Sequence, residues 1–129
     1  MKLPPEQESI RAKCFHPSGS FVEFPIEDVE QSIPERFEKI VQRYPDRIAF
    51  RTLSATLTYA ELDTMANGVA CSLFERLGRK TQLVTILLEK DVSQLATMLA
   101  VIKAGKFFLI LDPTFPKARL AAMLADSPR

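Results

Sequence analysis

Thiols and imidazoles are scarce in this chain of 129 residues, which holds two cysteines, Cys14 and Cys71, and one histidine, His16. A thiol needs a neighbouring base to become a working thiolate, and no histidine stands near Cys71 in sequence. Cys71 therefore reads as a small apolar filler beside a helix face. His16, followed by Pro17, reads as a surface residue without an orienting partner for general-base work. A single histidine precludes a multi-histidine metal site, and Cys14 with His16 shows no standard zinc spacing. The glycines are Gly19, Gly68, Gly78 and Gly105, no two closer than ten positions, so neither standard phosphate-cradling glycine motif can be written.

Charged groups offer more. Lys103 and Lys106 flank Gly105 and could meet an anion at a sheet edge, although a helix C-terminus attracts cations for dipole reasons alone. Asp112 follows an apolar run, where ligands meet an open parallel sheet, but Asp before Pro113 is equally a turn signal. Arg119 suggests a local ion pair with Asp112.

These groups need elements to hold them. The sequence carries 47% apolar and 26% charged residues, as an ordinary folded domain does, and its length suits one compact unit. Lys plus Arg number 17 against 16 Asp plus Glu, with no long run of one sign, so neither nucleic acid nor an anionic membrane is an expected partner. The apolar runs 95–102 and 107–111 are far shorter than the roughly 20 residues of a membrane span. The amino end has charges of both signs and no apolar run behind them, unlike a secretory signal, so a cytoplasmic location with free thiols is expected.

Residues 1–31, with four prolines and the run Ser18, Gly19, Ser20, read as an extended lead, docked through Phe15, Phe21, Val22 and Phe24. From Ser32 the pattern changes. Ser32 with Glu35 forms a capping box, and Ile33, Phe37, Ile40, Val41 and Tyr44 predict a helix over about 33–44, ended by Pro45. Residues 47–52 alternate as a half-buried strand, with 56–58 as its hairpin partner. Thr58 and Glu61 open a second capped helix whose face is Tyr59, Leu62, Ala66, Val69, Ala70, Leu73 and Leu77, stopped by Gly78. The run LVTILL at 83–88 predicts a strand covered on both faces. Asp91 or Ser93 caps a third helix closed by Gly105, FFLIL at 107–111 is a second covered strand, and a last helix runs from Pro116 to Ala125. Strand, helix and strand between 83 and 111 imply a right-handed βαβ crossover. The fold class is α/β, the beginning of a doubly wound parallel sheet with a small β-ribbon, formed by residues 32–129.

Three blocks, LTYAEL at 57–62, LLEKDVSQLATMLAVIKAG at 87–105 and FFLILDPTFPKARLAAMLADS at 107–127, resemble in order and spacing the first two core motifs of the adenylate-forming superfamily. The resemblance is strongest to amino-acid-activating adenylation domains of nonribosomal peptide synthetases. Leu57, Thr58, Tyr59, Glu61 and Leu62 match the first motif; Lys103, Ala104, Gly105, Leu111, Asp112, Pro113, Pro116, Arg119 and Leu120 match the second. Ile110 stands where the family commonly has proline, and Ile102 replaces its leucine.

The resemblance implies an enzyme that joins a carboxylate to the α-phosphate of ATP with Mg2+, releasing pyrophosphate. It also implies that the phosphate loop, the nucleotide contacts, the substrate pocket and the late lysine lie downstream of both motifs. The matched residues are then scaffold: no catalytic, cofactor-binding or metal-binding residue is assigned, and no cofactor is expected on this chain alone. The implied partners are the remainder of the adenylation domain or a carrier protein. An alternative is a small α/β interaction module that docks on such a partner through sheet faces it cannot cover itself.

Overall fold

The computed structural model describes residues 4–13, 24–53 and 55–127. Cys14, Phe15, His16 and residues 17–23, including Phe21 and Val22, lie outside the described residues, so the readings made of them do too. The chain divides into two compact units, Met1–Gln31 and Ser32–Arg129.

The first unit is more regular than an extended lead. Helix α1 spans Pro5–Lys13, and a short 3-10 helix spans Ile26–Glu30. Pro5 stands at the first helical position, where its missing N–H is no loss, and Glu6 and Glu8 complement the positive end of the dipole. Proline here starts a helix, which corrects the extended reading. Phe24, Ile26 and Val29 are exposed.

The second unit opens with α2, Ile33–Arg43, under a complete Ser32–Glu35 capping box. Strands β1, Ile48–Arg51, and β2, Thr56–Thr58, pair antiparallel with a bulge between Ile48 and Phe50. Helix α3, Tyr59–Leu77, starts under the Thr58–Glu61 box and stops at Gly78, whose φ of 65° few other residues adopt. Strand β3, Leu83–Leu87, leads to α4, Val92–Lys103, capped by Asp91. Gly105 turns the chain at φ 69° into β4, Phe107–Leu111, and α5, Lys117–Ala125, follows.

Strands β3 and β4 are parallel neighbours in a register of Leu83 with Phe107 through Leu87 with Leu111. Parallel neighbours require a crossover, which α4 supplies. The mixed α/β architecture read from periodicity is the one observed, with a parallel pair and a separate ribbon.

The core lies between α3 and α4, where Leu62, Ala66, Ala96, Leu99 and Ala100 are buried and Phe37, Leu57 and Val69 pack around them. Small residues at Ala66 and Ala100, both 0% exposed, let the two helices approach closely. The apolar face of α3 is not covered along its length: Leu77 is 37% exposed. Among the described residues no helix is long and apolar enough to cross a membrane.

Candidate functional site

In an open parallel sheet the carboxyl ends of the strands meet ligands. Here those ends carry residues 88–91 after β3 and 112–114 after β4. Asp112 has both oxygens occupied. Its Oδ1 accepts from the Thr114 backbone N–H at 2.9 Å and the Thr114 hydroxyl at 2.7 Å, and its Oδ2 faces Lys90 Nζ at 3.4 Å. The hydrogen bonds from the Thr114 hydroxyl and backbone, with a smaller contribution from Lys90, hold its carboxyl below the usual range. Such a group stays ionised at neutral pH and organises a turn. It is poorly suited to accept a proton from a substrate.

The ion pair read for Arg119 goes elsewhere. Lys90 is the partner of Asp112, while the Arg119 guanidinium stacks over the Phe115 ring at 4.1 Å. On the first turn of α5, Arg119 is carried toward the ring of the preceding loop, and a planar guanidinium gains from that face.

Lys103 and Lys106 both point into protein. Lys103, its side chain 7% exposed, places Nζ 2.7 Å from Glu38 Oε1 of α2 and 2.9 Å from Asp63 Oδ1 of α3. The Phe37 ring lies 5.9 Å from the same ammonium, and Asn67 donates to the other Asp63 oxygen at 2.9 Å. Burial works against this charge, but the hydrogen bonds and charges of Glu38 and Asp63 outweigh it and raise the Lys103 pKa. Lys106, 3% exposed, donates from Nζ to the carbonyls of Gly78 and Lys80 at 2.8 and 2.9 Å. Neither ammonium is available to an incoming phosphate. Sequence marked both lysines, and the helix-end preference accounts for part of their placement, but the long-range partners carried no local signal.

Cys71 is exposed, which corrects its reading as a buried filler. It sits one position past half-buried Ala70, and a step of one residue on a helix rotates a side chain about 100° away from the covered face.

A groove of about 460 Å³ opens on the sheet beside α5, between Leu83, Phe107, Leu109 and Met123. Phe107 and Leu87 remain 47% and 52% exposed at the strand ends, and Leu124 on α5 is 49% exposed. The groove is apolar, with Asp126 and Ser127 as its polar members. The Ser127 hydroxyl already donates to the Met123 carbonyl at 2.8 Å, and the Asp126 carboxylate repels a phosphate.

Among the described residues no three His, Cys, Asp or Glu residues converge as an all-protein metal cage requires. Asp112 is committed to Thr114 and Lys90. The strand exit lies among capped helix starts, a glycine helix end and an uncovered sheet face.

The family model for AMP-binding enzymes matches residues 37–128. A plipastatin synthase polypeptide of Bacillus subtilis is 43% identical over 91 residues, 70% of this chain and 4% of that protein. Tyrocidine synthase 1 of Brevibacillus parabrevis is 33% identical over 97 residues, 75% of this chain and 9% of that protein. Among solved structures, the N-terminal subdomain of Klebsiella oxytoca NpsA superposes with a TM-score of 0.68 at 27% identity, over 74% of this chain and 25% of that one. The chain thus spans less than a tenth of the synthetases it matches and a quarter of that subdomain. The capped α3, the Gly105 turn and the Asp112 strand exit all fall inside the matched stretch, and the chain belongs to the AMP-binding enzyme family.

Proposed function

We propose that this chain contributes the opening scaffold of an adenylation domain in a peptide-assembling synthetase. The complete domain activates a carboxylate, in this reading an amino acid, as an acyl-adenylate with ATP and Mg2+. Residues 32–129 form the adenylation portion and residues 1–31 a lead to it.

The observation that carries the reading is the match of residues 37–128 to AMP-binding enzymes on a parallel βαβ unit that keeps one apolar face uncovered. Two of the neighbouring structures support the chemistry by what they hold: NpsA and its N-terminal subdomain were each solved with 3-hydroxyanthranilyl-AMSN. Another joins an adenylation domain to a PCP, which supports a carrier protein or the rest of the domain as partner.

Within this reading the chain's own residues position structure. The Thr58–Glu61 box fixes where α3 begins, Lys103 ties α2 and α3 to α4, and Thr114 with Lys90 locks Asp112 where β4 leaves the sheet. ATP supplies the α-phosphate and the pyrophosphate leaving group when bound by the complete domain. No proton transfer is assigned to a group here.

The test is ATP–pyrophosphate exchange with a panel of amino acids, aryl acids and aliphatic acids. The isolated chain is expected to give none, and exchange is expected once polypeptide carrying the downstream adenylation motifs is joined to it. Robust exchange by the chain alone overturns the scaffold reading. A second reading, a docking module in its own right, is favoured by the open groove and predicts self-association or capture of a partner. Size-exclusion with light scattering separates the two, since a monomer that shows no tendency to associate argues against the module.

A further inference from the structure

Lys106 is 3% exposed and, unlike buried Lys103, has no carboxylate partner for its ammonium among the described residues; it stands immediately before β4. Its ammonium is held by two neutral carbonyls, Gly78 and Lys80, at 2.8 and 2.9 Å. Both belong to the connection between α3 and β3. The adjoining backbone bond, from the Phe107 N–H to the Gln82 carbonyl at 3.3 Å, leads directly into the ladder that begins at Leu83 and Phe107. Lys106 therefore fastens the start of one strand to the residues just ahead of the other.

A buried ammonium is a poor choice for stability alone. Apolar residues of similar volume commonly replace buried charges at no loss, and the best-attested reason to keep one is that it specifies an arrangement. The negative end of α3 offsets part of the cost, since Gly78 is its C-cap.

An arrangement here does need specifying. Register is set where one face of a strand is buried, because a slip of one residue exchanges the faces, and the penalty is smallest where the exchanged side chains are alike. Strands LVTIL and FFLIL carry no alternation of polar and apolar residues; Thr85 is their lone polar side chain. A one-residue slip of β4, whose five residues are all apolar, still presents apolar side chains to the covered face and to the open one. The same slip moves Lys106 by about 3.3 Å along the strand and takes its Nζ out of hydrogen-bonding reach of both carbonyls.

We propose that Lys106 is the register key of the β3–β4 pair, selecting the observed pairing over one-residue slips through its bonds to Gly78 and Lys80. The inference is independent of the catalytic reading, because it concerns which pairing the isolated chain adopts.

The experiment compares the full chain with Lys106→Met by amide hydrogen exchange and nitrogen-resolved NMR, with far-ultraviolet circular dichroism as the control for the helices. Because slipped pairings still bury the apolar strands, the variant is expected to keep its helical signal. The amides of residues 83–87 and 107–111 are expected to split into more than one set, with protection reduced at least about tenfold. A single native-like set with unchanged protection overturns the proposal. Loss of the helical signal overturns it as well, because it makes Lys106 a general prop of the fold.

Discussion

The α3–α4 layer and the β3–β4 sheet belong to one unit but treat their apolar residues differently. Between the helices, Ala66 and Ala100 are 0% exposed and Leu99 is 9% exposed. On the sheet, Phe107 and Leu87 keep about half their surface in solvent at 47% and 52%. Polar groups follow the same division. Lys103 joins three helices with two carboxylates, so the helical layer is tied by charge as well as packing. The sheet instead presents an apolar groove with one side open. The difference teaches that apolar burial in this unit is deepest where small residues let α3 and α4 meet and shallowest on the outer sheet face.

The largest expected effect is in the helical layer. Leu99→Ala removes a buried side chain from the helix interface and is expected to lower unfolding free energy by about 3 kcal/mol in a urea titration. Lys103→Met is next. It strands Glu38 and Asp63, but Glu38 is half exposed at 53%, so water recovers part of the loss. An expected cost of about 2 kcal/mol lies below that of a fully buried pair, and urea midpoints check it.

Acid and alkali both reach the helical layer, whereas the sheet feels pH through Asp112. Glu35, by its bonds with the Ser32 hydroxyl and backbone, Glu61, by those with the Thr58 backbone and hydroxyl, and Asp112, by those with Thr114, all have lowered pKa values. Their contribution is complete above the ordinary values of 4.5, 4.5 and 3.8 and is lost as pH falls through the lowered ones. Lys103 runs the other way. Although burial lowers its pKa, Glu38 and Asp63 raise it more, so its contribution is full below 10.5 and is lost as pH rises through the raised value. Unfolding midpoints are therefore expected to fall at both extremes, and Thr58→Ala is expected to flatten the acid limb only in part, because Glu61 loses the hydroxyl but keeps the larger contribution of the backbone N–H at position 58.

The smallest effect belongs to the open face. Phe107→Ala is expected to cost less than about 1 kcal/mol despite the size of the side chain, because solvent already reaches half of it. A loss as large as that of Leu99→Ala would abolish the contrast between the layers.

Much of this fold was legible because it rests on local signals. Both capping boxes, both glycine helix ends and both apolar strands sit where residue type dictates within a few positions. What escaped depends on how elements meet. Lys103 and Glu38 are 65 positions apart, and no periodicity names that pairing. Cys71 was misplaced because a helix face read from apolar residues has soft borders, and one step carried the thiol into solvent. Arg119 met the Phe115 ring and left Asp112 to Lys90, a choice made by loop geometry after β4. In the lead, Pro5 served to begin α1 when prolines had suggested extension.

The central claim, that these residues support an adenylation site without forming its nucleotide-binding surface, meets its most direct test in calorimetric titration of the isolated chain with ATP and Mg2+. The account predicts no saturable heat. A stoichiometric ATP complex would contradict it.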